Sequence, residues 1–188
     1  METLLKDITG EIYLIRNFDS IHRLDNLDSL FLKQESIKLF GKEIMQPRLS
    51  ALYGKQGTNY KYSGKLFKSL SWSGWIEELG GTCSKICEVE FNTALLNYYR
   101  DGNDSMGLHA DDERELGKNP IIASVSYGAT RKMIFRRNSD KEKLIIALNS
   151  GDLLIMKGAL QHNWKHEIRK EKKVEEGRLN VTFRKVNW

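Results

Sequence analysis

The chain has 188 residues, 40% hydrophobic and 29% charged, an ordinary balance for one globular domain with a buried core. No apolar run approaches the roughly 20 residues of a membrane-spanning helix, which excludes a helical membrane protein. Acidic residues flank the short apolar patch of Met1–Asp7, which excludes a signal peptide.

Residues 10–17 read as a strand, and 19–34 as an amphipathic helix opened by Asp19 or Ser20. Short strands are expected at 36–40 and 49–53, followed by a Gly- and Tyr-rich stretch from Tyr53 to Gly64. A second helix starts near Ser73 and ends before Phe91, with Gly80-Gly81 as a place where it could break in two. Cys83 and Cys87, the only cysteines, fall in this helix as two small core thiols. They offer no disulfide framework and fit a reduced intracellular compartment: the nucleus in a eukaryote, the cytoplasm in a bacterium.

After Phe91 the texture changes. Runs at 93–99, 121–127, 131–136, 143–148, 152–156, 162–168 and 178–186 are short, β-rich and punctuated by turns such as Asn149-Ser150-Gly151-Asp152. The pattern predicts an α+β chain, mainly β, built as a double-sheet jelly roll with N-terminal helices packed outside. One domain spans 1–188, with its chemistry in the β half from about residue 91.

Three features of that half carry chemistry. In His109-Ala110-Asp111 the two polar side chains project alike from an extended segment. A third ligand from His162 or His166 would complete the two-histidine, one-carboxylate set of a non-haem Fe(II) site; the two share a strand face, so periodicity does not choose between them. His22, in the N-terminal helix, reads as a surface residue. Downstream, Arg178-Leu179-Asn180-Val181-Thr182-Phe183-Arg184 alternates polar and apolar residues, so that Arg178, Asn180, Thr182 and Arg184 share one face. The two guanidiniums are about 20 Å apart along a strand, and each can swing inward to grip one end of a small dicarboxylate.

Several ordered segments resemble the AlkB dioxygenases, in particular the mammalian-type homologues that repair alkylated nucleic acid. They are Leu96–Gly102, Met106–Glu113, Pro120–Gly128, Gly151–Met156, Gln161–His166 and Arg178–Arg184. The likeness runs from about residue 36 to the C-terminus. It implies a double-stranded β-helix fold that uses Fe(II), 2-oxoglutarate and O2. It assigns His109, Asp111 and His166 to the metal, and Asn97, Tyr99, Arg178, Asn180 and Arg184 to 2-oxoglutarate. Family members commonly carry a proline three residues after the last metal histidine; here that place is taken by Arg169, and the expected change is in loop geometry.

On the substrate side, Leu39 and Phe40 resemble the aliphatic-aromatic wedge that fills the gap left by an extruded base, with Lys42 and Arg48 near phosphates. A strand end packed into the core has the same local sequence. Tyr60 and Tyr62 share a face and can stack on a flipped base, or cover the core. Asp112 and Glu113 are candidates for the edge of a cationic methylated base.

The expected reaction is oxidative demethylation of 1-methyladenine- or 3-methylcytosine-type bases in DNA, releasing formaldehyde, succinate and CO2. The expected partner is alkylated DNA, with RNA as a further substrate, and the protein is expected to act as a monomer away from membranes. The formal charge of +5 permits a polyanionic partner without identifying one. The alternatives are the same chemistry on RNA, protein or lipid, or a non-catalytic nucleic-acid-binding module on this fold.

Overall fold

Strands outnumber helices because most runs in this chain alternate or bury both faces, and most find a partner in one of two facing sheets, with Ser36–Leu39 and Lys42–Met45, and Asn59–Tyr62 and Lys65–Lys68, paired separately. The computed structural model describes residues 1–39, 42–55, 58–62, 65–72 and 74–187, with side chains outside the description at 26, 37–39, 42, 59–62 and 65–68.

The first hairpin pairs β1 (Glu2–Asp7) with β2 (Gly10–Ile15). A 3-10 helix, Leu24–Leu30, leads to β3 (Ser36–Leu39), β4 (Lys42–Met45) and β5 (Leu49–Gly54). A further antiparallel pair joins β6 (Asn59–Tyr62) to β7 (Lys65–Lys68) and precedes β8 (Leu70–Ser71) and the helix α1 (Gly74–Cys87). Next come β9 (Thr93–Tyr99), β10 (Met106–His109), β11 (Ile122–Gly128), β12 (Arg131–Arg137) and β13 (Lys143–Leu148). The chain continues through β14 (Leu153–Lys157), the single turn α2 (Leu160–Asn163), β15 (Trp164–Ile168) and β16 (Arg178–Arg184).

Among the described residues the larger sheet runs β1-β2-β14-β11-β16-β9-β5-β8, and a smaller one runs β10-β15-β12-β13. Each face of the larger sheet has its own partner. Leu179, Val181 and Phe183 of β16 pack outward with Ala94, Leu96, Ala123 and Val125 against Ile76, Leu79 and Cys83 of α1. On the opposite face Ile122, Leu154, Met156 and Tyr99 meet Met133, Phe135, Ile146 and Leu148 of the smaller sheet. With both faces covered, every residue of β16 is buried, including two arginines. The layer between the sheets is therefore where a polar site must lie. No helix among the described residues is long and apolar enough to cross a membrane.

The strands at 93–99 and 143–148 fall where alternation puts them, and the cysteine pair lies on α1 as free thiols, Cys83 buried. The helix expected over 19–34 is instead one short 3-10 segment. Leu24, Leu27 and Leu30 recur every third residue, the period of a 3-10 turn, and face the core. Asp19 uses its carboxylate on the Ile21 amide at 3.1 Å, the Arg23 guanidinium at 3.1 Å and the Tyr127 hydroxyl at 2.7 Å, so it anchors a turn instead of capping a helix. His22 is exposed, 3.4 Å from Asp25. Residues 162–163 belong to α2 and not to the strand expected there.

Gly80-Gly81 does not break α1. A Cβ built on Gly80 would lie 3.0 Å from Phe183, so the missing side chain lets the helix approach β16, whereas Gly81 faces open space. Gly80→Leu is expected to lower stability by about 1–3 kcal/mol through overpacking, and Gly81→Ala to raise it by up to about 1 kcal/mol through helix propensity. Urea melts of both variants check this; a shift of the same sign would refute the packing account.

Candidate metal centre

β10 and β15 are antiparallel neighbours whose register sets His109 directly opposite His166. Their rings are 4.3 Å apart between centroids. Asp111 follows β10, and its Oδ1 lies 3.6 Å from His109 Nε2. One ligand atom from each of His109, Asp111 and His166 falls within 4.8 Å of the others.

The protonation of each group favours coordination. His109 Nδ1 donates to the Gly107 carbonyl at 2.8 Å, which leaves Nε2 as the lone-pair nitrogen. Burial lowers the pKa of both histidines, that of His166 to about 3, so both rings stay neutral. Burial alone would raise the Asp111 carboxyl, but the Arg184 guanidinium beside it outweighs this and holds the group ionised, well below the usual carboxylate range. Arg184 Nη2 takes Asp111 Oδ2 at 2.8 Å, while Oδ1 is buried with no hydrogen-bond partner. A buried, ionised oxygen turned toward two neutral imidazoles is what a divalent cation requires, and the donor set suits Fe(II).

His162, the other histidine considered for the metal, lies on α2, exposed, with Nε2 donating to the Lys118 carbonyl. It takes no part in the cluster, because the helical turn points it away from the face that β15 gives to His166.

The polar face of β16 continues from the triad. Arg178 is opposite Tyr99 and Asn180 opposite Asn97 on β9, while Ser126 and Ser124 of β11 flank Asn180 and Thr182 on the other side. Asn97, Tyr99, Ser124, Asn180, Thr182 and Arg184 line one pocket with the triad. Asn180 gives its amide hydrogens to Ser124 Oγ and the Val125 carbonyl and accepts from Thr182. Arg178 is different. Its Nη2 donates to Ser126 Oγ at 2.9 Å, but Nε and Nη1 are buried without a partner. Burial also lowers its pKa, so an incoming carboxylate would relieve a desolvated cation.

A second guanidinium, Arg131, was not singled out in the sequence. It is 1% exposed and donates to the carbonyls of Asp101, Asp104 and Arg169, with Glu171 at 3.3 Å. It ties the loop after β9 to the loop after β15. The only local signal is an arginine opening the strand Arg131–Arg137. Arg169, in place of the family proline, sits in that second loop and pairs with Glu167 at 2.8 Å.

Arg48 does not lie on an open surface near phosphate: it is buried and donates to Asn97 Oδ1 at 2.8 Å. The tether fixes the Asn97 amide and takes the guanidinium away from solvent. Asp112 is exposed beside the triad and Glu113 half-buried. Phe40, and the side chains of Leu39, Lys42, Tyr60 and Tyr62, lie outside the described residues.

The model of the 2OG-Fe(II) oxygenase superfamily matches residues 20–184, which include the whole triad and the arginine strand. The chain belongs to that superfamily. It is 37% identical over 158 residues to the human "DNA oxidative demethylase ALKBH2", covering 80% of this chain and 60% of that protein. It is 40% identical over 151 residues to the human "Alpha-ketoglutarate-dependent dioxygenase alkB homolog 3", covering 75% and 52%. The resemblance to AlkB proteins thus extends over most of the chain, which spans between half and two thirds of the length of these relatives. A solved structure described as "The structure of OsALKBH1" shares the fold, with a TM-score of 0.59 at 20% identity over 92% of this chain and 97% of that one.

The depressed pKa of His166 has a consequence for the metal-free protein. Its folded value lies below the unfolded value of 6.5, so below that pH the unfolded chain binds a proton that the folded one refuses. Stability of the metal-free protein is expected to fall by about 1 kcal/mol or more as pH drops from 6.5 to 4.5, above the range of ordinary carboxylates. His166→Phe should flatten this limb. Equal slopes in chemical denaturation for wild type and variant would rule the account out.

Proposed function

We propose that this chain is an Fe(II)- and 2-oxoglutarate-dependent oxidative demethylase of N-alkylated bases in DNA, acting as one domain. The observation that carries the reading is a pair of buried, unpartnered polar groups: the Oδ1 oxygen of Asp111 and the Nε and Nη1 nitrogens of Arg178. The first asks for a cation and the second for an anion, and both belong to one polar layer between the sheets.

His109, Asp111 and His166 hold the iron. Arg178, with the Tyr99 ring 5.3 Å from its guanidinium carbon, takes the distal carboxylate of 2-oxoglutarate, and Asn97, Asn180 and Arg184 line the way to the metal. Bound iron would activate O2, one oxygen atom going to 2-oxoglutarate, which leaves as succinate and CO2, and the other to the N-methyl carbon, which leaves as formaldehyde. The protein's own contribution is orientation and exclusion of water. Arg184 keeps Asp111 ionised, Gly107 fixes the His109 tautomer, and the two sheets cover the layer behind the triad.

The approach to the metal is from the His109 side. That ring keeps 21% of its side chain exposed against 1% for Asp111, and β10 is an edge strand. Exposed Asp112 and half-buried Glu113 follow Asp111 in the chain, and their carboxylates would favour a cationic methylated adenine or cytosine over the neutral base. Leu39 and Phe40 form the wedge that replaces the extruded base, with Tyr60 and Tyr62 as stacking rings. The named activity of the ALKBH2 relatives supports DNA as the substrate.

The test is conversion of a short DNA carrying one 1-methyladenine or 3-methylcytosine, single-stranded or duplex, followed by mass spectrometry. Iron-dependent loss of the methyl group, absent in His109→Ala, is expected; succinate without loss of the methyl group would make the substrate wrong. In the same assay Arg178→Ala is expected to raise the KM for 2-oxoglutarate about 10–100-fold, the loss of a charge-assisted contact. An unchanged KM would remove Arg178 from the cosubstrate site.

A further inference from the structure

Asp111 is the one member of the triad outside a strand. β10 ends at His109, so no ladder fixes the Asp111 main chain. Its amide N–H instead donates at 2.9 Å to Oε1 of Gln161, a residue 50 positions away and 2% exposed. Gln161 spends its own amide group on Met156 Sδ at 3.7 Å, a weak contact that aims the side chain without competing for its oxygen.

The placement has a physical logic. Arg184 takes Oδ2 of Asp111, which leaves Oδ1 for the cation only if the residue cannot turn about its backbone. The two Arg184 bonds converge on the single oxygen Oδ2 and leave that rotation open, whereas a further bond on the main chain closes it. Gln161 also sits on α2, which runs directly into β15 and His166. One short segment therefore presents a ligand, His166, and the clamp that holds another. A neutral amide oxygen is the suitable acceptor here, since it adds no charge beside an anionic ligand.

We propose that Gln161 is a positioning residue of the metal centre, fixing Asp111 through its backbone and coupling it to the segment that carries His166. The proposal rests on the reading of His109, Asp111 and His166 as ligands. Outer partners of metal ligands typically carry 10–100-fold in metal affinity.

The experiment is calorimetric titration of metal-free protein with Co(II), with the melting temperature of each metal-free variant recorded alongside. Gln161→Met keeps the length and apolar packing of the side chain but gives up its amide oxygen. It is expected to weaken Co(II) about 10–100-fold, while Gln161→Glu, which keeps an acceptor but adds a charge beside Asp111, weakens it by less than about tenfold. His162→Ala, on the same turn, should bind as wild type. If Gln161→Met does not fold, Gln161→Leu carries the same comparison. The proposal is overturned if the apolar variant binds Co(II) within about threefold of wild type, or if it and Gln161→Glu weaken alike in step with their melting temperatures. His109→Ala separates the two levels. If it loses Co(II) while Gln161→Met does not, the positioning role alone fails; if it binds as wild type, the ligand reading fails as well.

Discussion

The ion pair between Arg184 and Asp111 is the contact on which the rest of the site depends. Both groups are buried, so neither can be ionised alone without a penalty of several kcal/mol, and each is tolerated because the other is present. The pair leaves the ledger of charge uneven, however. A carboxylate has two oxygens, and Arg184 satisfies one. What remains is a negative oxygen in a buried layer, and the neighbouring imidazoles, kept neutral by the same burial, bring it no positive charge. The preference for a cation thus follows from desolvation and register before any metal is named.

The same economy governs the whole of β16. A strand covered by a helix on one side and by a second sheet on the other ought to be apolar throughout, and half of it is not. Its inward residues are matched by polar partners on β9 and β11: Asn97 opposite Asn180, Ser124 beside Thr182, Ser126 under Arg178. Arg48 reaches in from another strand to hold Asn97. The one clear shortfall is at Arg178, whose buried Nε and Nη1 make no hydrogen bond within the protein and suit a dicarboxylate.

Legibility in the sequence followed the range of the interaction. The spacing of His109 and Asp111 and the alternation through 178–184 are local facts, and the structure places both on one polar layer. The core strands were readable for the same reason. The choice between His162 and His166 was not, because a single helical turn separates them in direction and a period of two does not register it. The helix expected at 19–34 failed on a three-residue leucine spacing that serves a 3-10 turn as well as it serves an α-helix. Arg131 and Gln161 act through atoms 27 to 50 residues away, and no local pattern announces such a partner. Arg48 looked like a surface cation for that reason, although its partner lies 49 residues on.

The position of β16 also bears on how the protein comes to be made. It lies in the interior of the larger sheet, hydrogen-bonded to β11 on one side and β9 on the other, yet it follows both of them, and every other strand among the described residues, in the sequence. During synthesis β9 and β11 are complete long before the strand that separates them leaves the ribosome, so each presents an open, apolar edge in the interval. Such edges can pair with each other in a wrong register or with a neighbouring chain. Keeping the nascent polypeptide apart from its own copies until β16 arrives guards against this, and the Arg184–Asp111 pair cannot form before that moment.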